Sequence, residues 1–449
     1  MAAAIAGRGF EVVGFDIDER AVERVNAGHA PVAETGLDAL IAANRERLRA
    51  TTDPVDAVVS SDVSFVVVPT PSDERGAFSL EYAEAAFRSI GRALAVKDGY
   101  HLVVLTSTVL PGATRHGLIP VLEAESGKVC GRDFGFCYSP VFIALGSVIR
   151  DFLHPDSALI GEFDERSGSL LEQSYRDILE NGAPCQRMSL ENAELTKIAV
   201  NTYITTKVTF ANMLAELCER IPGGDVDVVS NALGLDARIG RKYLTGAVSY
   251  GGPCFPRDNV ALKFLARAVG ANAELAETTD RMNRQWAERV IARFRNLVGR
   301  GRTVAILGMA YKPGTPVTDE SAGVYLARAV TRLGGRVVAY DPLAGDSARA
   351  ELGAEIEVED TLSDALREAD VVMVTTPDPV FRELTAEDLS HLPEVVVIDF
   401  WRLLDGRFEG APNVRHIAIG RSADDAENAD RLVELWAPAG SEHSLLANA

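Results

Sequence analysis

The stretch YGGPCFPRD, Tyr250–Asp258, holds the residues best suited to covalent chemistry. Cys254 is a nucleophile toward an aldehyde once it is a thiolate, and Asp258, four positions on, can move a proton or order a water. If a helical turn begins near Pro256, the two side chains can face one cavity. Gly251 and Gly252 let backbone approach a ligand closely. A lone cysteine is more often a structural thiol in a turn. Here the neighbouring glycines, prolines and acid favour the nucleophile.

A second pair lies in LTKIAVNTY, Leu195–Tyr203. Lys197 and Asn201 are four apart, so on a helix they share a face. A partly buried ammonium beside an amide stabilises an oxyanion. On spacing alone, a lysine snorkelling out of an amphipathic helix carries equal weight. In LTSTVLPG, Leu105–Gly112, Thr108 follows a strand at the end where parallel sheets bind ligands. It can hold a water or a cofactor amide, and a plain Ser/Thr turn explains it equally well. In GMAYKPGT, Gly308–Thr315, Lys312 with Gly314 can meet a phosphate. The segment ARIGRKY adds Arg238, Arg241 and Lys242, of which the last two read as a solvated basic face.

Such side chains need a scaffold to hold them. With 449 residues, two or three domains are expected. The chain repeats itself once: MAAAIAGRGFEVVGFD at 1–16 parallels LARAVTRLGGRVVAYD at 326–341, and SDVSFVVVPTP at 61–71 parallels ADVVMVTTPDP at 369–379. Each of the latter pair reads as a buried strand ended by two prolines. Strands alternating with helical stretches predict an α/β fold of two Rossmann-like, doubly wound parallel-sheet domains. The second half opens with the strand TVAIL, Thr303–Leu307. By the repeat, Met1 falls inside the first helix, so the opening strand and its glycine-rich turn are expected to be absent from the first half. Asp16 ends the next strand, where an acid can accept hydrogen bonds from adenosine ribose hydroxyls; a strand-end turn residue is the alternative, which the context makes the weaker one.

Between the halves, Ser189 is placed to cap a long helix from about 190 to 220, broken at Gly223-Gly224. Further helices follow to about Val298, interrupted by the glycine-rich loop at 246–256. The expected division is a dinucleotide domain at 1–188, a helical region at 189–298 and a second α/β domain at 299–449, whose last 30 residues form a loose tail or final helix.

Composition narrows the function. A net charge of −20 disfavours nucleic acid and anionic membranes as partners, because both select basic surfaces. No stretch reads as a membrane span or secretory signal. Five scattered cysteines read as reduced thiols in the cytoplasm, and without CxxC or HExxH no zinc site is expected.

Taken together, FEVVGFDID, VVVPTP, TSTVLPG, LTKIAVNTY, YGGPCFPRD and GMAYKPGT resemble, in order and spacing, the UDP-glucose/GDP-mannose dehydrogenase family over nearly the whole chain. The resemblance implies an NAD-binding domain, a central helical dimerisation region and a C-terminal nucleotide-binding domain. It implies NAD-dependent oxidation of a nucleotide sugar at C6, from alcohol through aldehyde to uronic acid, via a thiohemiacetal and a thioester. The substrate would be UDP-glucose or a UDP-N-acetylhexosamine, with a GDP-sugar as the alternative, and the chain a homodimer through the central helix. Carried over by motif, Cys254 is the nucleophile and Asp258 orders water. Lys197 and Asn201 stabilise developing oxygen charge, and Thr108 lies near the nicotinamide. Asp16 and Thr70, with Thr108, bind the cofactor. Arg238, Tyr243, Gly251 and Lys312 contact the sugar nucleotide.

This chain departs from the family pattern at several positions. Val141 stands where a glutamate assists thioester hydrolysis, Leu145 replaces an acid found in some relatives, and Asp319 stands where many members carry arginine. With the fingerprint absent, these departures predict weak turnover. Two alternatives follow: a degenerate nucleotide-sugar binder, and a β-hydroxyacid dehydrogenase, which would need neither the Cys254 loop nor a second Rossmann-like half.

Overall fold

The computed structural model describes residues 1–422 and 425–436. The chain divides into two compact units, one of Met1–Val200 with Ala261–Asn272, the other of Asn201–Val260 with the residues from Ala273 on. Among the described residues no helix is long and apolar enough to cross a membrane.

In the second unit, β8 (Thr303–Leu307), β9 (Arg336–Tyr340), β10 (Glu357–Val358), β11 (Val371–Val374), β12 (Val395–Asp399) and β13 (Val414–Ala418) form one parallel sheet in the order β10-β9-β8-β11-β12-β13. Strands such as Val371–Val374 are apolar throughout because helices cover both faces and bury every side chain. One face packs Ile306, Met373 and Ile398 against Leu326 and Trp286, and the other packs Leu307, Val372 and Val397 against Phe381 and Leu404.

The first unit carries β1 (Val12–Phe15), β2 (Leu48–Thr51), β3 (Val63–Val66), β4 (Leu102–Leu105), β5 (Gly135–Tyr138), β6 (Ala158–Glu162) and β7 (Cys185–Ser189). Its strands fall into a β1-β2 ribbon and a five-stranded sheet ordered β3-β4-β5-β6-β7. Only the β5–β6 pair is antiparallel. By the internal repeat β1 and β3 correspond to β9 and β11, which both pair with β8. Among the described residues no strand pairs with both β1 and β3. The expectation of a buried strand over 61–71 is corrected accordingly: Val63, Ser64 and Phe65 are only half-buried. Val67 is 62% exposed, whereas Thr375, its counterpart in the repeat, is 1% exposed. An edge strand lacks the neighbour that closes over its side chains.

The repeat also places Asp16 opposite Asp341, and the two carboxylates differ in use. Asp341 is buried and accepts four backbone N–H groups: Met309 at 2.8 Å, Ala310 at 2.9 Å, Leu343 at 2.9 Å and Ala344 at 2.8 Å. It braces the loop after β8. Asp16 is exposed, with Oδ1 accepting the Asp18 N–H at 2.9 Å.

The helix Leu190–Cys218 contributes residues to both units, and Ser189 Oγ accepts the Asn192 N–H at 3.3 Å as its cap. Helices Val226–Leu235, Phe255–Ala268, Glu274–Arg284, Trp286–Arg293 and Arg295–Val298 follow. Within the second unit Arg402, buried and with φ of 57°, sends its guanidinium to Asp227 at 2.7 Å and to the carbonyls of Gly246 and Ile419 at 2.8 Å. This ties the sheet to the loop that leads into the cysteine segment. Part of the expected final helix is present at Asp425–Leu435, and residues 437–449 lie outside the described residues.

At the lower end of β3 and β4, buried His101 donates from Nδ1 to the Ser61 carbonyl at 3.1 Å and accepts the Ser64 hydroxyl on Nε2 at 2.9 Å. Burial, then the nearby Lys97 ammonium, holds its pKa down at about 4. The folded imidazole therefore stays neutral where the unfolded one, titrating near about 6.5, already binds a proton. The stability this provides is complete above about pH 6.5 and is lost as pH falls toward 4, by up to about 3 kcal/mol. Urea-unfolding midpoints measured across this range should fall less steeply for His101→Gln than for the parent chain; parallel slopes would contradict this origin.

Candidate active site

The sequence-predicted residues fall into two groups, one in each unit. In the first unit the loops after β3 and β4 are laced together. Ser107 Oγ donates to the Val68 carbonyl at 2.7 Å and accepts the Val68 N–H at 2.8 Å. Thr70 is buried, and its hydroxyl donates to the Thr108 carbonyl at 2.8 Å. Thr70 and Thr108 are thus brought together at the carboxyl end of the sheet, where parallel strands offer a ligand their loops.

Lys197 projects from the long helix toward the loop after β5. Its Nζ donates to the Val141 carbonyl at 2.8 Å and stands 4.4 Å from the centroid of the Phe142 ring. A carbonyl dipole and a ring face both favour a cation. The same loop is held from its far side by Glu34, whose carboxylate accepts the Gly146 and Val148 N–H groups, each at 3.0 Å. Val141 contributes its backbone to this contact, and its isopropyl group can neither donate nor accept a proton.

In the second unit Cys254 is exposed and directly precedes the helix Phe255–Ala268. The Asp258 N–H donates to the Cys254 carbonyl at 2.9 Å, which closes the first turn. A helix start orients its N–H dipoles toward negative charge. Asp258 is 1% exposed, and its Oδ2 accepts the Asn201 side-chain amide at 2.6 Å. One turn further along the long helix, Thr205 Oγ1 accepts the Asn259 side-chain amide at 2.9 Å. Two buried polar contacts therefore fix the rotation and register of the cysteine helix against the long helix. Lys197 and Asn201 stand on successive turns of that long helix.

The glycines before Cys254 are required by close approach. A Cβ at Gly252, where φ is 84°, would lie 2.7 Å from the Tyr311 ring, and one at Gly251 would lie 2.4 Å from the Glu320 carbonyl oxygen. The Gly252 N–H donates to the Asp319 carbonyl at 2.8 Å, so this position contributes its backbone to the loop. Burial, with a contribution from nearby Cys254, pushes the Tyr311 phenol up to about 12. Lys312 stands over that ring, 5.9 Å from its centroid. The KPGT segment and the cysteine loop are therefore neighbours.

Tyr243 adopts φ of 67°, strained for a tyrosine, and meets Phe255 edge-on at 6.4 Å. Arg238 lies apart on an exposed loop, where its guanidinium pairs with Asp236. The solvated reading of Arg241 is corrected: it donates to Asn231 Oδ1 and to the Leu244 carbonyl, both at 2.6 Å, and closes the loop onto the preceding helix. Sequence reasoning missed Asn259, Asn283, Arg402 and Glu194. Asn283 pairs with both backbone groups of Tyr250 at 2.9 Å. Asn259 was signalled only by standing next to Asp258, and Glu194 only as a charge within an otherwise apolar helical stripe.

Comparisons with known proteins bear on this arrangement. Residues 1–179 match the NAD binding domain of the UDP-glucose/GDP-mannose dehydrogenase family, residues 191–285 its central domain and residues 305–406 its UDP binding domain. The UDP-glucose 6-dehydrogenase AglM of Haloferax volcanii is 36% identical over 91% of this chain and 95% of its own length. A GDP-mannose 6-dehydrogenase of Pseudomonas putida is 35% identical over 76% of this chain and 77% of its own. The solved UDP-glucose dehydrogenase of Pyrobaculum islandicum superposes with a TM-score of 0.83 at 32% identity, covering 94% of each chain. With three family models matched along it and its relatives in agreement, the chain belongs to the UDP-glucose/GDP-mannose dehydrogenase family.

Proposed function

We propose that this chain oxidises the C6 alcohol of a UDP-sugar, UDP-glucose being the first candidate, to the carboxylate through a covalent adduct on Cys254. The observation that carries this reading is the exposed thiol opening a helix whose first turn holds a buried Asp258 bonded to Asn201. The family's UDP binding domain, matched at 305–406, supports the nucleotide. NAD supplies the hydride acceptor, two per sugar. Its adenosine end suits the exposed carboxylate of Asp16, which is open to a ribose diol as Asp341 is not. Thr70 and Thr108 suit the nicotinamide end. Arg238, Tyr243, Gly251 and Lys312 serve the sugar nucleotide.

In the chemistry this implies, Asp258 accepts a proton from the C6 hydroxyl, directly or through a water, while the Lys197 ammonium offsets charge on the oxygen and the first C6 hydride leaves for the first NAD, giving the aldehyde. The Cys254 thiolate then adds to the aldehyde carbon, forming the C–S bond of a thiohemiacetal, whose oxygen takes back the proton held by Asp258. Loss of the remaining C6 hydride leaves a thioester, and water cleaves its C–S bond to free the acid and the thiol. Val141 provides no base for that last step, so hydrolysis should limit turnover. The functional division follows the same order, with a cofactor region at 1–188, a central region at 189–298 and a nucleotide region from 299 on. A non-catalytic nucleotide-sugar binder is the second reading, and Val141 favours it. Cysteines that form no disulfide among the described residues suit the cytoplasm.

Stopped-flow mixing with UDP-glucose and NAD should give a burst of NADH followed by a slow steady phase. Val141→Glu should raise the slow phase about 10-fold or more, in line with general-base contributions. An unchanged slow rate removes Val141 as the cause, and UDP-sugar binding by calorimetry with no NADH at all favours the binder.

We also propose a homodimer through the long helix. Tyr203, Phe210, Met213 and Leu217 recur at helical spacing and are exposed. Phe210→Glu with Leu217→Glu should convert a dimer to a monomer in sedimentation velocity, and a mass unaffected by the pair speaks against this face.

A further inference from the structure

Glu194 is fully buried and lies three residues before Lys197 on the long helix. Its carboxylate is used on both oxygens. Oε2 accepts the Gly112 N–H at 2.6 Å, and Oε1 accepts the Thr114 N–H at 2.9 Å and the Thr114 hydroxyl at 2.7 Å. All three donors lie where the loop that begins at Thr108 ends, at Gly112 and in the first turn of the helix Ala113–Leu118. The near end of that loop is tied by Thr70 at the Thr108 carbonyl. Glu194 ties the far end, and it does so from the turn of helix that also carries Lys197.

We propose that Glu194 is a positioning residue that fixes the Thr108 loop against the helical turn bearing Lys197, and so sets the spacing between the two groups. The inference rests on the dehydrogenase reading, in which both side chains serve the hydride-transfer step. A buried carboxylate is costly to desolvate, and three donors converging on it offset that cost only in one geometry. The result is a rigid clamp, stiffer than a solvated cap. Glutamine at this place keeps the shape and loses the clamp, because its amide nitrogen must face an N–H or O–H donor. A half-exposed pair, Arg115 with Glu191, joins the same two segments at the surface and provides the control.

The experiment compares the full chain with Glu194→Gln, Thr114→Val and Glu191→Gln, measuring NADH formation with UDP-glucose and NAD alongside the thermal midpoint. A positioning role predicts that Glu194→Gln lowers the rate constant of the NADH burst about 10- to 100-fold, with the UDP-glucose concentration that half-saturates the burst within about two-fold of the parent. Thr114→Val, which keeps both backbone donors, should fall between it and the parent, and Glu191→Gln should match the parent. A Glu194→Gln protein of lower midpoint but parental burst rate shows a mere structural cap and overturns the proposal. If that variant does not fold, an unchanged burst rate in Thr114→Val overturns it instead. A parent chain that forms no NADH sinks the dehydrogenase reading and the positioning role with it, whereas an active parent with an indifferent Glu194→Gln sinks the positioning role alone.

Discussion

The contact on which the rest depends is the 2.6 Å hydrogen bond between Asn201 and Asp258. Both groups are buried, so neither can exchange its partner for water without a penalty of about 1–3 kcal/mol. The bond fixes how the cysteine helix sits on the long helix, and with it where the thiol that opens the cysteine helix emerges. Thr205 with Asn259, one turn along, leaves the helix pair only one register. The loop before Cys254 is then drawn in by glycines that admit Tyr311 and the Glu320 carbonyl. The Cys254 side chain is in this way held by helix packing.

The two units show how one motif is placed differently. In the second unit Asp341 spends its carboxylate on four backbone donors and closes the loop after β8. In the first, Asp16 stays exposed at the end of β1 and accepts the Asp18 N–H. The side chain is the same, and the difference lies in whether the local backbone competes for it. Lys197 shows the same sensitivity to its surroundings. The Val141 carbonyl and the Phe142 ring face, both of which favour a cation, hold its ammonium on the loop after β5.

Much of this was legible in the sequence because it is periodic or local. Alternating apolar runs gave the parallel sheets, the repeat gave the matched strands, and Ser189 marked the start of the long helix within one residue. The i,i+4 spacing of Lys197 and Asn201 and the glycines around Cys254 were visible as patterns. What was not legible depends on partners distant in the chain. Glu194 meets Thr114 across 80 positions and Arg402 meets Asp227 across 175, and no local pattern announces either. The half-burial of β3 was missed for a related reason: a strand's hydrophobicity reports what it can bury, while its neighbours decide what it does bury.

The covalent step is tested most directly by mass spectrometry of the protein itself. Rapid quenching after mixing with UDP-glucose and NAD should show a uronyl adduct on the peptide containing Cys254, accumulating as NADH forms and missing from Cys254→Ala. NADH formed at the full two per sugar by Cys254→Ala, or an adduct on a different residue, would contradict the account.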